Sequence, residues 1–227
     1  MKTLILLHGA IGASDQLQRF TAVFENQYER VLLFDFPGHG GKAFPEKEFG
    51  IPLFAASLID FMNAEHVQQA DVFGYSMGGY VALYAAAKHE GRIGKIMTLG
   101  TKFAWDPATA EKEVKMLNPE KIQEKVPAFA EALKKRHCPE DWRIVLDKTA
   151  DMMRQLGQAP ALNETLLRAI QSKVLIAVGD RDTMVSIEES LSVFRNINDA
   201  HFAVLPGWVH PIEKADAKKL GELFSGF

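Results

Sequence analysis

The stretch Gly74-Tyr75-Ser76-Met77-Gly78 follows a short apolar run that begins at Asp71, and it precedes an alanine-rich segment with helix-forming composition. A strand that turns directly into a helix at a Gly-x-Ser-x-Gly sequence typically presents the serine hydroxyl on a sharp turn. Gly74 and Gly78 leave room for such a turn, and the following helix directs the positive end of its dipole toward Ser76. The stretch therefore predicts that Ser76 is a nucleophile at the carboxyl end of a buried strand.

Six short apolar runs, including the one before Ser76, have the composition of buried strands. They rarely alternate with polar residues, which is typical of parallel strands covered on both faces. The runs are residues 4–7, 31–34, 71–74, 93–99, 174–178 and 202–205. Stretches 15–28, 52–64 and 186–197 carry apolar residues at helical spacing, with Ser14 and Ser186 as candidate N-caps. This alternation predicts a doubly wound α/β fold with about six parallel strands.

The alternation is interrupted between residues 101 and 171, where no strand pattern occurs. Residues 120–137 and 142–156 instead carry stripes of apolar residues at helical spacing among lysines and glutamates. We therefore predict two parts of the chain. Residues 1–100 and 172–227 form a core that contains the sheet, and residues 101–171 form a helical insertion.

A serine nucleophile needs a base that takes its proton, and four histidines follow Ser76 in the chain. His210 lies on a loop directly after the last predicted strand, at the edge of the sheet where parallel sheets bind ligands. His89 lies in the helix that follows Ser76, His137 lies in the insertion, and His201 lies beside the start of the last strand. We therefore predict that His210 is the base.

An acid that orients this base is expected between Ser76 and His210, because folds that carry the serine on a strand-to-helix turn of this kind use the chain order Ser, Asp or Glu, then His. The fifth predicted strand is followed by two aspartates, Asp180 and Asp182. Asp180 could anchor the turn through hydrogen bonds to the backbone. Asp182 lies farther from the strand and could reach a histidine on the neighbouring loop. We prefer Asp182 and keep Asp180 as the alternative.

Acyl transfer also needs two backbone N–H groups that stabilise the oxyanion. One is expected from Met77, the residue after the nucleophile, and the other from the loop after the first strand, residues 8–12. We assign the second donor to Ala10, with Ile11 as the alternative.

The composition excludes several other classes of protein. A chain of 227 residues with a net charge of −3 has no excess of basic residues for binding nucleic acid or an anionic membrane surface. No apolar stretch approaches the roughly 20 residues that span a bilayer. The one cysteine, Cys138, rules out an intrachain disulfide. We therefore expect a cytoplasmic protein.

Five motifs resemble, in the same order along the chain, those of the α/β-hydrolase superfamily. They are residues 6–9, 35–40, 74–79, 179–182 and 206–210. The resemblance implies that Asp182 is the catalytic acid and that residues 101–171 form a helical cap over the active site. It also implies that Asp35 and His39 belong to a structural turn, so neither is given a catalytic role.

The chain departs from this resemblance at its start, because relatives carry two further strands before the first one found here. We expect a six-stranded, wholly parallel version of the α/β-hydrolase fold that lacks those two strands. The strand at residues 31–34 then lies at an exposed edge, which makes a homodimer possible. The pattern is most similar to small cap-bearing esterases, carbon–carbon bond hydrolases and the menaquinone-pathway lyase, although Tyr80 stands where that lyase carries a basic residue.

These observations favour hydrolysis of a small carboxylic ester through an acyl-enzyme, with no metal or cofactor. A lyase or carbon–carbon bond hydrolase with the same three residues is an alternative, and a ligand-sensing protein with little turnover is another. The partner is expected to be a small molecule, with neither nucleic acid nor membrane involved. The predicted pocket is apolar and largely uncharged, and its candidate residues are Ile11, Trp105, Met152, Met153 and Trp208.

Overall fold

The computed structural model describes residues 2–227, and these form one sheet of six parallel strands. The strands are β1 (Thr3–Leu7), β2 (Arg30–Phe34), β3 (Ala70–Tyr75), β4 (Ile93–Leu99), β5 (Val174–Gly179) and β6 (Ala200–Leu205). Their order in the sheet is β2-β1-β3-β4-β5-β6, and every neighbouring pair is parallel. All six predicted strands are found, so the predicted α/β fold is confirmed.

Ten α-helices connect or follow these strands within residues 2–227. They are α1 (Thr21–Phe24), α2 (Ile51–Ala64), α3 (Met77–Lys88), α4 (Pro107–Val114), α5 (Pro119–Lys125), α6 (Pro127–His137), α7 (Trp142–Gln158), α8 (Glu164–Ala169), α9 (Ile187–Phe194) and α10 (Ala217–Ser225). Helices α4 to α8 lie between β4 and β5, and we refer to them as the inserted helices. None of the helices in the described part of the chain is both long enough and apolar enough to cross a bilayer.

The two faces of the sheet carry separate apolar clusters because side chains alternate along each strand. In β1, Ile5 and Leu7 pack with α2 and α3, whereas Leu4 and Leu6 pack with the side chains of α10. All five side chains of β1 are buried. Burial on both faces explains why the strands appear in the sequence as continuous apolar runs. It also leaves the ends of the strands as the place where polar groups collect.

The segment after β1 differs from the single helix predicted for residues 15–28. It forms a 3₁₀ helix at Ser14–Phe20 that continues into the short α1. Ser14 was predicted to be an N-cap and is not one, because its N–H and its hydroxyl both donate to the Asp35 carboxylate, at 2.7 and 2.8 Å. The second predicted cap is confirmed, since the Ser186 hydroxyl accepts a hydrogen bond from the Glu189 N–H at the start of α9.

The helix predicted at residues 120–137 is divided into α5 and α6. The division falls at Val126, whose backbone angles (φ −138°, ψ 60°) are not helical. Pro127 causes this break, because a proline disfavours the helical conformation of the residue before it and lacks an N–H of its own. The helix predicted at residues 142–156 corresponds to α7. The inserted helices have a third apolar cluster, which includes Leu133, Trp142 and Leu146.

Strand β2 lies at one edge of the sheet and pairs only with β1 among the strands of residues 2–227. The prediction that residues 31–34 form an edge strand is therefore confirmed. The homodimer suggested by this edge stays a prediction.

Candidate active site

Ser76 lies between the last residue of β3 and the first residue of α3, in a strained backbone conformation. Its φ of 51° is in the left-handed region, which is uncommon for residues other than glycine. Three hydrogen bonds hold this conformation. The Ser76 N–H donates to the Leu99 carbonyl at 2.9 Å, and the Ser76 carbonyl accepts from Thr101 Oγ1 at 2.9 Å and from the Gly79 N–H at 3.0 Å. Strain kept in place by neighbouring contacts is typical of functional positions.

The turn around Ser76 requires glycine at two positions. A Cβ atom on Gly74 would lie 2.5 Å from the Gly79 Cα, and one on Gly78 would lie 2.4 Å from the Leu7 carbonyl oxygen. Both distances are too short for a real side chain. The glycines on either side of Ser76 therefore allow β3, α3 and the end of β1 to approach closely, as the sequence pattern indicated.

Asp182 and His210 meet at the carboxyl ends of β5 and β6. Asp182 Oδ2 lies 2.8 Å from His210 Nδ1, and Asp182 Oδ1 accepts from the N–H groups of Met184 and Val185 at 2.8 and 2.9 Å. The Asp182 side chain is 1% exposed. Burial by itself raises the pKa of this carboxyl, but the hydrogen bonds hold the pKa below its ordinary value. The carboxylate is therefore ionised at neutral pH.

Asp180, the alternative acid, makes a different contact. Its Oδ1 accepts from the Gly207 N–H at 2.6 Å, which ties the loop after β5 to the loop after β6. This is the backbone-anchoring interaction that the sequence suggested for Asp180. Of the two aspartates, only Asp182 has a hydrogen bond with His210.

Two residues near this pair were not identified from the sequence. Gly100, with φ of 58°, lies so close to the pair that an added Cβ would be 3.1 Å from Asp182 Oδ2 and 3.4 Å from His210 Nδ1. The Tyr75 hydroxyl donates to the His210 carbonyl at 3.0 Å, which fixes the loop that carries the histidine. A glycine directly after a buried strand was the available signal for Gly100.

The loop after β1 forms a tight turn beside Ser76. The Gly12 N–H donates to the Gly9 carbonyl at 3.1 Å, and Ala10 and Ile11 are the two central residues. A Cβ on Gly9 would lie 3.2 Å from the Ser76 Cβ, so the turn passes close beside the serine and leaves no room for a side chain at Gly9. Within residues 2–227, the N–H groups of Ala10 and Ile11 have no hydrogen-bond partner.

Met77 supplies another donor next to the serine, and within residues 2–227 its N–H has no hydrogen-bond partner. It is the first residue of α3. The first N–H groups of a helix have no carbonyl partner within the helix, and they lie at the positive end of its dipole. Ser76 therefore lies between two sets of backbone donors, one from this helix and one from the turn after β1.

A cavity of about 310 Å³ opens beside Ser76. Ser76, His210, Ala10 and Met77 all line this cavity. Four of the predicted pocket residues also line it, namely Ile11, Trp105, Met152 and Met153. Trp208 does not, and this corrects the prediction: its side chain packs against the apolar cluster on the α10 face of the sheet. The cavity is formed jointly by the sheet edge and the inserted helices.

The cavity also contains charged side chains, contrary to the uncharged pocket predicted from the sequence. Lys102, Glu113, Arg136 and Glu213 contribute to its wall. Lys102 Nζ lies 3.6 Å from a Glu113 oxygen, and Arg136 Nε lies 3.5 Å from the exposed carboxylate of Asp15. The wall is therefore apolar with a few partly neutralised charges, an arrangement common in small-molecule sites.

Across residues 2–227, no group of three or more histidine, cysteine, aspartate or glutamate side chains is arranged to hold a metal ion.

Three histidines are buried below the turn after β1. The rings of His8 and His39 are 5.1 Å apart, and those of His39 and His137 are 5.8 Å apart. His8 Nδ1 donates to the Gly9 carbonyl at 2.8 Å while its Nε2 accepts from the Phe36 N–H at 3.2 Å, so its ring is neutral. Burial lowers the pKa of His8 to about 4. Burial also lowers the pKa of His39 and of His137.

These pKa values predict that lowering the pH from neutral begins to destabilise the fold near pH 6.5, before most carboxylates titrate. The unfolded chain binds a proton at His8 below pH 6.5, whereas the folded chain does so only near pH 4. The contribution of neutral His8 to the free energy of unfolding is therefore fully present above pH 6.5, and it decreases as the pH falls toward 4. We expect a loss of about 2 kcal/mol from His8 alone between pH 7 and pH 5. Urea unfolding at the two pH values measures it.

His201 provides the control for this measurement because its side chain is exposed. His201→Gln should leave the pH dependence of the free energy of unfolding unchanged, whereas His8→Gln should reduce it, with the remainder due to His39 and His137. An equal free energy of unfolding of the wild type at pH 7 and pH 5 would contradict the prediction.

Comparison with known proteins identifies the family and the fold. A family model described as alpha/beta hydrolase fold matches residues 2–137. The 2-hydroxymuconate semialdehyde hydrolase of Pseudomonas putida is 24% identical to this chain, over 98% of this chain and 85% of its own length. A pimeloyl-[acyl-carrier protein] methyl ester esterase of Neisseria meningitidis is 26% identical, over 100% of this chain and 93% of its own length.

Solved structures show the same fold. The enol-lactonase from Burkholderia xenovorans LB400 superposes with a TM-score of 0.78 and 17% sequence identity, over 99% of this chain and 90% of that chain. The family model and this superposition both identify the architecture around Ser76 with one known fold.

Proposed function

The chain belongs to the α/β-hydrolase fold family, an enzyme family, and from that premise we propose that it is a serine hydrolase of small carboxylic esters. The observation that carries this proposal is the 2.8 Å hydrogen bond between His210 and Asp182, because His210 lines the same cavity as Ser76. Nucleophile, base and acid then follow one another along the chain in the order used by this family. Relatives named as hydrolases and esterases support the same reaction class.

In the first half of the proposed reaction, Ser76 Oγ attacks the ester carbonyl while His210 takes the serine proton. The hydrogen bond from His210 Nδ1 to Asp182 leaves Nε2 as the nitrogen that accepts this proton. The Asp182 carboxylate, which is ionised at neutral pH, stabilises the imidazolium that forms. His210 then returns the proton to the leaving alcohol, and the acyl group stays on Ser76.

In the second half, water attacks the acyl-enzyme and His210 again serves as the base. The carboxylic acid is released and Ser76 regains its proton. In both halves the carbonyl oxygen becomes an oxyanion, which we propose is stabilised by the N–H groups of Met77 and Ala10. Each such donor contributes roughly 10²- to 10³-fold in rate.

The same three residues could also cleave a carbon–carbon bond. The similarity to 2-hydroxymuconate semialdehyde hydrolase favours this as the second candidate. A lyase of the menaquinone type is less well supported at Tyr80, where no basic side chain is present. The Tyr80 hydroxyl accepts a hydrogen bond from the Leu162 N–H at 2.9 Å, which ties α3 to the segment after α7.

A panel of p-nitrophenyl esters, from acetyl to dodecanoyl, tests the proposed function. We expect hydrolysis with the highest kcat/KM at a short or intermediate acyl chain, because the cavity is limited to about 310 Å³ and is bounded by the inserted helices. Failure on every ester, combined with labelling of Ser76 by a fluorophosphonate, would favour the carbon–carbon hydrolase instead. If the protein neither hydrolyses an ester nor is labelled at Ser76, it is not a serine hydrolase of either kind.

We propose that the inserted helices form a cap that limits the size of the acyl group, and Met153→Trp tests this. Met153 lies on α7 and lines the cavity. A tryptophan there should lower kcat/KM for the longer esters by about tenfold or more while leaving the acetyl ester nearly unchanged. Ile144→Trp is the matched control, since Ile144 lies on the same helix, is 42% exposed and does not line the cavity. An equal loss on all esters would contradict a size limit set by α7.

A further inference from the structure

His137, the last residue of α6, connects the inserted helices to the turn beside Ser76. Its side chain is completely buried. Its Nε2 lies 3.0 Å from the Ile11 carbonyl, and its Nδ1 lies 3.2 Å from the Gly40 N. Because a backbone N–H can only donate, Nδ1 must accept from Gly40, and Nε2 must carry the proton donated to Ile11. The ring is therefore neutral, and both of its nitrogens are used.

The contact with Ile11 continues through two peptide groups to the proposed oxyanion donor. The Ile11 carbonyl belongs to the same peptide group as the Gly12 N–H, which donates to the Gly9 carbonyl at 3.1 Å. The Gly9 carbonyl in turn shares a peptide group with the Ala10 N–H. Since peptide groups are planar, fixing one side of each fixes the direction of the other. Hydrogen bonds in such a series also polarise one another.

The turn needs this support because of the conformation of Ile11. Its φ of 52° is in the left-handed region, where a β-branched side chain is strained. Such a conformation persists only where the surrounding contacts hold it. His8 holds the turn from the side of β1 through the Gly9 carbonyl, at 2.8 Å. From the side of the inserted helices, His137 holds the turn through a hydrogen bond to the Ile11 carbonyl, while the Ile11 side chain packs against the apolar cluster of those helices.

We propose that His137 is a positioning residue for the oxyanion hole. The inference depends on the proposed function, because it assigns the Ala10 N–H to the oxyanion. His137 does not touch the reacting atoms. It sets the direction of a donor through the Ile11–Gly12 and Gly9–Ala10 peptide groups, so the oxyanion hole is complete only when α6 is docked against the loops after β1 and β2.

His137→Phe tests the proposal because it keeps a buried ring and removes both hydrogen bonds. We expect kcat for p-nitrophenyl butyrate to fall about 10- to 100-fold while KM changes by less than about twofold, since the oxyanion exists only after attack. The inhibition constant of an alkyl trifluoromethyl ketone, whose serine adduct carries the oxyanion, should rise by the same factor. His137→Gln, which has a donor and an acceptor on one amide group, should restore part of the activity.

Leu146→Ala is the control for a purely structural effect. Leu146 is completely buried in the apolar cluster of the inserted helices, against which the Ile11 side chain packs, and it forms no hydrogen bond with the turn, so its truncation weakens the packing and leaves the hydrogen bonds of His137 in place. The Leu146→Ala variant should have a lower melting temperature but an unchanged inhibition constant for the ketone. If His137→Phe does not fold, His137→Met replaces it in the comparison with His137→Gln, because methionine and glutamine have the same length.

The outcomes separate this inference from the proposed function. The inference alone is overturned if the wild type hydrolyses the ester but folded His137→Phe, or His137→Met in its place, keeps the kcat and the ketone inhibition constant of the wild type. It is also overturned if His137→Gln is no more active than the apolar variant, or if Leu146→Ala raises the inhibition constant to the same extent. A wild type that neither hydrolyses the ester nor reacts with a fluorophosphonate overturns the proposed function, and the inference with it.

Discussion

Replacing Ser76 by alanine should lower kcat for ester hydrolysis by about 10⁴-fold or more, because the nucleophile of the proposed mechanism is removed. The fold should be unaffected. Ser76 is held through its N–H and its carbonyl, which contact Leu99, Gly79 and Thr101, and alanine keeps both groups. We therefore expect an unchanged melting temperature together with the loss of turnover, measured with the preferred p-nitrophenyl ester.

Ser190→Ala is the matched control for this result. Ser190 is a serine of α9 that is 1% exposed, and its hydroxyl donates to the Ser186 carbonyl. The same substitution at a buried serine outside the cavity should leave kcat within about twofold of the wild type. If Ser76→Ala kept a comparable rate, the assignment of the nucleophile would be wrong.

The second large effect is expected from Asp182→Asn, which should lower kcat by about 10³- to 10⁴-fold. An amide keeps the shape of the carboxylate but removes the charge that stabilises the imidazolium of His210. Its N–H₂ group can also donate to Nδ1 and so favour the unproductive tautomer. The Met184 and Val185 N–H groups still need an acceptor, so the amide oxygen would face these two groups and the amide nitrogen would face His210. The measurement is kcat across the pH range in which the protein stays folded.

Asp180→Asn is the matched control, because the two aspartates lie on the same loop and undergo the same chemical change. Asp180 accepts a hydrogen bond from Gly207, and an asparagine oxygen can accept it as well. Activity should therefore stay near that of the wild type. A larger loss in Asp180→Asn than in Asp182→Asn would reverse the assignment of the acid.

The sheet, and the position of Ser76, Asp182 and His210 at the carboxyl ends of its strands, could be predicted from the sequence for one physical reason. Parallel strands buried on both faces appear as continuous apolar runs, so their carboxyl ends can be located from the chain alone. Ser76, Asp182 and His210 each follow such a run. Because the ends of parallel strands meet at one edge of the sheet, residues far apart in the chain were expected to be neighbours.

Features that depend on contacts between distant segments were not predicted. Ser14 has the local pattern of an N-cap, but Asp35 takes its hydroxyl, and no local pattern shows that. Trp208 was expected in the cavity because of its place beside His210, yet its side chain lies on the other side of the loop against the α10 cluster. The break at Val126 could have been predicted, since Pro127 is visible in the sequence.

His137 illustrates the same limit at the site itself. From the sequence it was one histidine of the insertion, with no sign of a role near Ser76. Its partners Ile11 and Gly40 are separated from it by 126 and 97 positions in the chain. Only the packing of α6 against the loops after β1 and β2 brings these groups together.

Reaction with a fluorophosphonate, read by mass spectrometry of the intact protein and of its peptides, tests the central claim most directly. The account predicts one adduct per chain, located on the peptide that contains Ser76, and no adduct on Ser76→Ala under the same conditions. An adduct at a different residue, or labelling of folded Ser76→Ala at the rate of the wild type, would contradict the assignment of Ser76 as the nucleophile.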